Sequence, residues 1–227
     1  MISIDELIKD GVGSLVEPEV KGFLKECSIA VPRSFVEIDL EVAIVKAAEI
    51  GYPLVLKVVS RDIIHKSDVG GVAVGLRDEQ ELRRAWNEIY VSIAHRCPSA
   101  KIEGFLVEEM APRGVEVIVG ALRDEQFGPT VMFGMGGVAI ELLKDVSFRL
   151  APIDEAEAIE MMKECKGFPL LSGYRGNPAK DVKAAAGVIV KLADIITESK
   201  LVKEFEINPL VVHGDGCMAL DARAILL

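Results

Sequence analysis

Apolar positions along the chain follow helical spacing in some stretches and strand-like spacing in others, and each half carries both kinds. Apolar residues three and four apart predict helices, whereas short runs rich in Val, Ile and Phe predict strands. Helices are predicted at 17–29, 39–51, 78–95, 154–165 and 179–199. Strands are predicted at 52–60, 71–76, 103–110, 115–124, 129–137, 203–212 and 217–223. The pattern therefore predicts an α+β protein.

Capping and turn signals refine this outline. Asp39 is a candidate N-cap of the second helix, and Gly51 is a candidate stop. Around Pro98 the helix-rich first part gives way to three consecutive β-like runs. We therefore predict two α+β subdomains, residues 1–103 and residues 104–227.

Composition narrows the class of protein. No apolar run approaches the roughly 18–20 residues that a membrane span needs, and the N-terminal sequence MISIDELIKDGVG does not resemble a signal peptide. We therefore expect a cytoplasmic protein without a membrane partner. The four cysteines lack CxxC spacing, which favours free thiols over a zinc site or a disulfide framework. A net charge of −10 without a basic stripe argues against nucleic acid as a partner.

The C-terminal stretch KEFEINPLVVHGDGCMALDAR predicts a β-hairpin with converging polar residues. If Gly214 and Asp215 form a two-residue turn of type II′, residues whose numbers sum to 429 lie opposite one another. Asn208 then faces Asp221, and Glu206 lies on the same side of its strand as Asn208. A slip of one residue would turn Asp221 to the other side.

Three oxygen-bearing side chains on one face would suit Mg²⁺, which takes one or two carboxylates and completes its shell with water and phosphate oxygens. The alternative is a polar face without an ion, in which Glu206 pairs with Arg223 opposite it. The residues alone leave both open.

Several features could bind phosphate, although no GxxxxGK[ST] motif occurs. Lys57 lies in an apolar β-like run and needs a partner, which could be a phosphate or a carboxylate of the same domain. Gly70 and Gly71 precede the next strand. The segment 134–139, GMGGVA, matches G-x-G-x-x-G/A, but the helix after it, VAIELLKDV, would be very short for a dinucleotide-binding unit. The loop could still present N–H groups to a phosphate.

In order, six stretches resemble the ATP-grasp fold, and more closely the nucleotide-binding β subunit of ADP-forming acetyl-CoA and acyl-CoA synthetases, relatives of succinyl-CoA synthetase. They are GYPLVLKVVS, HKSDVGGV, LVEEM, VEVIVGALRDEQFGPTVMFGMGG, LLSGYRG and EFEINPL…LDAR. The resemblance extends from about Glu17 to Leu227. It implies an ATP-grasp fold with the nucleotide, ATP or ADP, between two subdomains.

The resemblance also implies roles for single residues. Lys57 would contact nucleotide phosphates, and the segment from Glu108 to Met110 would hold the adenine edge through backbone groups. Glu116 would bind the ribose hydroxyls. Mg²⁺ would be held by three residues of the hairpin: Glu206, Asn208 and Asp221.

Synthetases of this kind interconvert acyl-CoA, ADP and phosphate with acid, CoA and ATP. The resemblance implies that an α subunit carries the CoA site and the primary phosphohistidine, in an α₂β₂ assembly. Arg175 and Asp181 match a family segment that could face the partner or the site. Two alternatives use the same nucleotide site: a carboxylate–amine ligase and a non-catalytic nucleotide-binding module.

His65, in IIHKSDVGGVAVGL, is the candidate for covalent chemistry. Neutral imidazole is a competent phosphoryl acceptor near pH 7, and the implied reaction needs a phosphoryl group to move between subunits. Lys66 could offset its charge, Asp68 could orient the ring, and the two glycines could let the loop move. The alternative is a loop histidine hydrogen-bonded to Asp68.

Overall fold

The predicted α+β class is confirmed by the computed structural model, which describes residues 14–63, 65–137 and 145–227. Its helices are α1 (Glu17–Glu26), α2 (Leu40–Ile50), α3 (Glu79–Arg96), α4 (Glu155–Lys163), α5 (Pro169–Ser172) and α6 (Val182–Glu198). Its strands are β1 (Ser14–Leu15), β2 (Ser34–Glu37), β3 (Leu54–Val59), β4 (Val72–Leu76), β5 (Gly104–Glu109), β6 (Val115–Asp124), β7 (Gly128–Met135), β8 (Val146–Leu150), β9 (Val202–Val212), β10 (Cys217–Ala219) and β11 (Ala222–Leu226). The chain divides into two compact units: Pro32–Ala111, the four-stranded unit, and Met1–Val31 with Pro112–Leu227, the seven-stranded unit.

The described strands of the four-stranded unit form an antiparallel sheet in the order β2-β5-β3-β4. α2 begins where the Asp39 carboxylate accepts hydrogen bonds from the backbone N–H groups of Glu41 and Val42. It ends at Gly51, whose φ of +92° suits glycine. Both predicted helix boundaries are therefore confirmed. The core beneath α2 and α3 includes Ala43, Ala47, Leu56, Val58, Trp86, Ile89 and Val107.

The described strands of the seven-stranded unit run in the order β1-β11-β9-β6-β7-β8, with β10 beside β9. Helices α1, α4 and α6 share one core with the sheet, which includes Phe23, Met161, Ile189, Val119, Phe133, Phe205 and Ala224. Side chains alternate along a strand, so the residues between these core positions point the other way. We call that side the outer face; it carries Gly120, Glu204, Glu206, Asn208, Asp221 and Arg223.

The predicted boundary between residues 103 and 104 differs from the observed division. β5 begins at Gly104, yet it pairs with β2 on one side and β3 on the other, so it belongs to the four-stranded sheet. The described residues before Pro32 belong to the seven-stranded unit instead. A strand's own alternation does not reveal its partner, which is why the sequence placed β5 with the strands that follow it.

Other elements also differ from the prediction. Ser34–Glu37 forms β2, where the sequence indicated only a break between helices, and the predicted strand at 217–223 is split into β10 and β11. In the described part of the chain, no helix is long and apolar enough to cross a membrane. All four cysteines are free, as predicted. Burial raises the pKa of Cys165 and of Cys217 to about 11, so neither is a thiolate nucleophile at neutral pH.

Candidate functional site

Lys57 and Glu108 form a buried ion pair in the four-stranded sheet. Lys57 lies opposite Leu106, so Glu108 is two residues further along β5 on the same side. The Lys57 Nζ and Glu108 Oε2 atoms are 2.9 Å apart, and the side chains are 8% and 2% exposed. Of the two partners that the sequence left open for Lys57, the carboxylate of its own domain is present. A phosphate would therefore join this pair or exchange with it.

The rest of the segment from Glu108 to Met110 follows from strand geometry. Glu109 points away from Glu108 and binds Arg33, with 2.6 Å between Oε2 and Nε. Partial burial acts to raise the pKa of Glu109, but hydrogen bonds from the backbone and guanidinium of Arg33 outweigh it and lower that pKa. The backbone of Glu108 lies inside the sheet because β5 has a neighbour on each edge. Met110, just after β5, is exposed, and its backbone N–H donates to the Pro53 carbonyl oxygen at 3.3 Å.

The His65 loop, residues 65–71, is anchored to α3 through its backbone. The Arg96 guanidinium donates to the Asp68 carbonyl oxygen at 2.9 Å, and the Ser92 hydroxyl donates to the Val69 carbonyl oxygen at 2.8 Å. The His65 side chain is exposed. Within the residues that the structure describes, its ring makes no hydrogen bond to Asp68. The loop therefore presents the imidazole on an anchored backbone.

Gly70 and Gly71 allow the loop to approach its neighbours closely. Gly70 has a φ of +68°, and a Cβ there would lie 2.8 Å from the Ser92 Oγ atom. A Cβ on Gly71 would lie 2.7 Å from the Val58 Cγ1 atom and 2.9 Å from the Lys66 carbonyl oxygen. The sequence suggested that these glycines let the loop move, but the geometry indicates that they allow close packing.

We expect Gly70→Ala to lower the free energy of unfolding by about 2–3 kcal/mol, because the left-handed backbone costs an L-residue about 1–2 kcal/mol and the methyl group also displaces Ser92. Gly75→Ala is the matched control, since Gly75 has a φ of +78° with open space around its Cβ position. Urea denaturation of both variants separates backbone strain from close approach. Equal losses in the two variants would contradict the packing role of Gly70.

The register predicted for the C-terminal hairpin is confirmed, whereas the predicted turn type is wrong. Arg223 pairs with Glu206, and Cys217 pairs with Val212, as the sum of 429 requires. A type II′ turn needs a positive φ at its first central residue, but the positive φ, +103°, occurs at Gly216 and not at Gly214. The physical reason is a contact from outside the hairpin, made by Asp181.

Asp181 fixes the hairpin turn to α6. Its Oδ1 accepts the N–H of Ala184 at 2.9 Å as the N-cap, and its Oδ2 accepts the N–H of Gly216 at 3.1 Å. Its own N–H donates to the His213 carbonyl oxygen at 2.8 Å. This residue therefore has an internal partner for each group. Arg175 is exposed, with a φ of +48° and its guanidinium 5.3 Å from the centre of the Tyr174 ring.

The three candidate metal ligands occupy neighbouring backbone positions, two on β9 and one just before β11. The backbone N–H of Asn208 donates to the Asp221 carbonyl oxygen at 2.9 Å, and the Asn208 Nδ2 donates to the Glu206 Oε1 at 3.2 Å. Arg223 also reaches Glu206, with 3.1 Å between Nη2 and Oε2. The ion pair that the sequence left open as the alternative is therefore present beside the candidate site.

The donor set fits Mg²⁺. Two carboxylates and an amide are hard oxygen donors, and they leave positions for water and phosphate oxygens. In the described residues, no group of three or more His, Cys, Asp or Glu could hold a metal; here the third donor is Asn208. Gly120 lies opposite Glu206 on β6, so β6 itself places no side chain beside that carboxylate.

Glu116 lines a cavity of about 530 Å³ within the seven-stranded unit. The Gly136 N–H donates to the Glu116 carbonyl oxygen at 2.8 Å, and a Cβ on Gly136 would lie 2.7 Å from that oxygen. Close approach of β7 to β6 therefore requires this glycine. Lys166 also lines the cavity. The predicted short helix falls largely on residues 138–144, which lie outside the described residues.

Sequence reasoning missed three residues that contribute to these sites, Gly120, Ser92 and Arg96, and named a fourth, Arg223, without a role in the site. Arg223 entered only as an alternative partner of Glu206, although its place opposite that residue follows from the register. Gly120 gave no signal of its own, because its role depends on the neighbouring strand. Ser92 and Arg96 lie on a helix more than 20 residues from the loop that they hold, and no local pattern indicates that contact.

Comparisons with known proteins identify the family of the chain. A family model described as an ATP-grasp domain matches residues 6–226. The β subunit of the ADP-forming acetate–CoA ligase I of Pyrococcus furiosus is 46% identical over 212 residues, which are 93% of this chain and 91% of that protein. Among solved structures, acetyl-coenzyme A synthetase 1 of Ca. Korarchaeum cryptofilum, in complex with coenzyme A, Ca-AMPCP and HgCl+, is 45% identical with a TM-score of 0.94, covering 99% of this chain and 98% of that one.

A second structure of that synthetase contains coenzyme A and Mg-AMPPCP, with its phosphohistidine segment pointing towards the nucleotide-binding site. It is 43% identical to this chain, with a TM-score of 0.83, and covers 99% of this chain and 98% of that one.

Proposed function

Because this chain belongs to the ATP-grasp domain family, we propose that it is the nucleotide-binding β subunit of an ADP-forming acyl-CoA synthetase, of the acetyl-CoA type. The observation that carries the proposal is the agreement with a β subunit of such a ligase over nearly the whole length of both chains. The enzyme class is an acid–CoA ligase that forms ADP. The cytoplasmic location remains a prediction.

In this proposal each unit has candidate nucleotide contacts of its own. In the four-stranded unit, Lys57 contacts the phosphates, Gly70 and Gly71 shape the loop beside them, and Met110 offers its backbone to the adenine edge. Glu108 is the partner that holds the Lys57 ammonium 2.9 Å away. In the seven-stranded unit, Glu116 binds the ribose hydroxyls.

Glu206, Asn208 and Asp221 would hold Mg²⁺. A bound Mg²⁺ offsets the negative charge of phosphate oxygens in transfer. Asn208 orients the Glu206 carboxylate through the hydrogen bond at 3.2 Å.

His65 is the proposed second phosphoryl carrier. When ATP is consumed, the lone pair of a neutral imidazole nitrogen forms a bond to the γ-phosphorus. The bond from that phosphorus to the bridging oxygen breaks, and ADP leaves with the electron pair. The other ring nitrogen keeps its proton, and the reverse reaction restores ATP. The phosphoryl group then passes to or from the phosphohistidine of the partner subunit.

The proposed partner is an α subunit that carries the CoA site and the primary phosphohistidine, in an α₂β₂ assembly. The acyl group would be selected in that subunit.

Reconstitution tests the proposal. We expect the purified chain with its α subunit to form ATP from acyl-CoA, ADP and phosphate, whereas the chain alone binds nucleotide and makes no acyl-CoA. CoA-dependent turnover by the single chain would contradict the division of labour. Amine-dependent ADP release would instead identify a carboxylate–amine ligase. Nucleotide binding without transfer in the reconstituted complex would identify a binding module.

A further inference from the structure

Arg223 lies at the centre of the charges on the outer face. Its Nη2 is 2.6 Å from the Glu204 Oε1 and 3.1 Å from the Glu206 Oε2. The Arg223 and Glu206 side chains are 37% and 21% exposed, so water screens this charge only in part. One guanidinium therefore pairs with two carboxylates, one of which is a proposed metal ligand, and this group of three side chains keeps a net charge of −1.

Both oxygens of Glu206 already have donors in this arrangement. The Asn208 amide donates to Oε1 and the Arg223 guanidinium donates to Oε2. A divalent cation that binds Glu206 must displace one donor or share the carboxylate with it. Because like charges repel, the guanidinium beside Glu206 weakens the attraction of this carboxylate for a divalent cation.

The arrangement around Arg223 is also incompletely satisfied. Its Nε–H is buried without an acceptor in the described part of the chain, and such a donor costs free energy. Turning the guanidinium away from Glu206 therefore costs less free energy than it would if every donor of Arg223 had an acceptor. An entering negative group that accepts from this Nε–H would offset the loss of the Glu206 contact.

We propose that Arg223 makes divalent cation binding at the hairpin conditional on nucleotide. Without nucleotide, Arg223 takes the place of the cation beside Glu206 and lowers the affinity of the site for metal. Negative phosphates offset the guanidinium charge, so that the metal binds tightly only together with nucleotide. Arg223 is thus a positioning residue that couples two ligands, and the coupling is reciprocal. The inference rests on the proposed metal site.

Mn²⁺ binding tests this coupling directly. Free Mn²⁺ is titrated by electron paramagnetic resonance against the purified chain, with and without ADP. We expect Arg223→Gln to bind Mn²⁺ alone at least about tenfold more tightly than the unchanged chain, since one repelling charge is removed. In the presence of ADP we expect the change to be smaller. Arg223→Lys keeps the charge and is expected to resemble the unchanged chain.

Arg149→Gln is the matched control, because Arg149 also joins two glutamates, Glu157 and Glu164, but lies on β8 away from the hairpin. Its Mn²⁺ affinity should not change. If Arg223→Gln fails to fold, Arg223→Leu provides the same comparison and also removes the unsatisfied donor.

Unchanged or weaker binding of Mn²⁺ alone by a folded variant without the Arg223 charge would overturn the inference. Glu206→Gln separates this failure from that of the metal site. If Glu206→Gln leaves Mn²⁺ binding in the presence of ADP intact, the proposed metal site itself is wrong.

Discussion

Replacement of His65 by alanine is expected to lower the rate of phosphoryl transfer with the partner subunit at least about a thousandfold, while nucleotide affinity changes little. A covalent carrier cannot be bypassed if the two sites exchange phosphate only through it, so the loss is in the transfer step. The imidazole is exposed and its loop is anchored through backbone groups. The substitution therefore removes the nucleophile and leaves the loop bonds in place.

Labelling measures this outcome. ATP carrying ³²P in its γ-phosphate should label the unchanged chain in an acid-labile, base-stable form, as expected of phosphohistidine. The His65→Ala chain should remain unlabelled. His95→Ala is the control, because His95 is an exposed histidine in the last turn of α3, the helix that anchors the loop. Full transfer by the His65→Ala complex would refute the carrier role. If the unchanged chain transfers phosphate but is never labelled, His65 contacts the phosphate without carrying it.

The second large effect is expected at the Lys57–Glu108 pair. Replacing Glu108 by Leu should lower the free energy of unfolding by about 3–5 kcal/mol, because it leaves a buried ammonium without its carboxylate. Lys57→Met should have a similar cost. The double variant Lys57→Met/Glu108→Leu should recover most of the loss, since an apolar pair replaces a buried ionic one.

The same double variant separates stability from function. We expect it to fold and to bind ADP at least about tenfold more weakly, because it lacks the ammonium proposed to contact the phosphates. Urea denaturation and calorimetric titration with ADP measure the two effects. Glu109→Gln, one residue away in a pair whose arginine is 66% exposed, should cost about 1 kcal/mol or less. Normal ADP affinity in the folded double variant would contradict the role of Lys57.

The sequence alone determined those features that depend on neighbours along the chain. Asp39 and Gly51 marked the start and the end of α2 because capping is a local interaction. The hairpin register followed from the length of a short turn, and it placed Glu206, Asn208 and Asp221 on one face. The α+β class followed from the two periodicities of the apolar residues.

Only the tertiary structure decided which distant groups meet. It paired β5 with β2 and β3 and so moved the boundary between the units, and it joined Lys57 to Glu108 across two strands. It also set the hairpin turn through Asp181 and anchored the His65 loop through Ser92 and Arg96. The reason is physical. A buried polar or charged group needs a partner, and the residue type alone shows that a partner is required. Which partner satisfies it depends on strand order and helix packing, which arise from contacts across the whole chain.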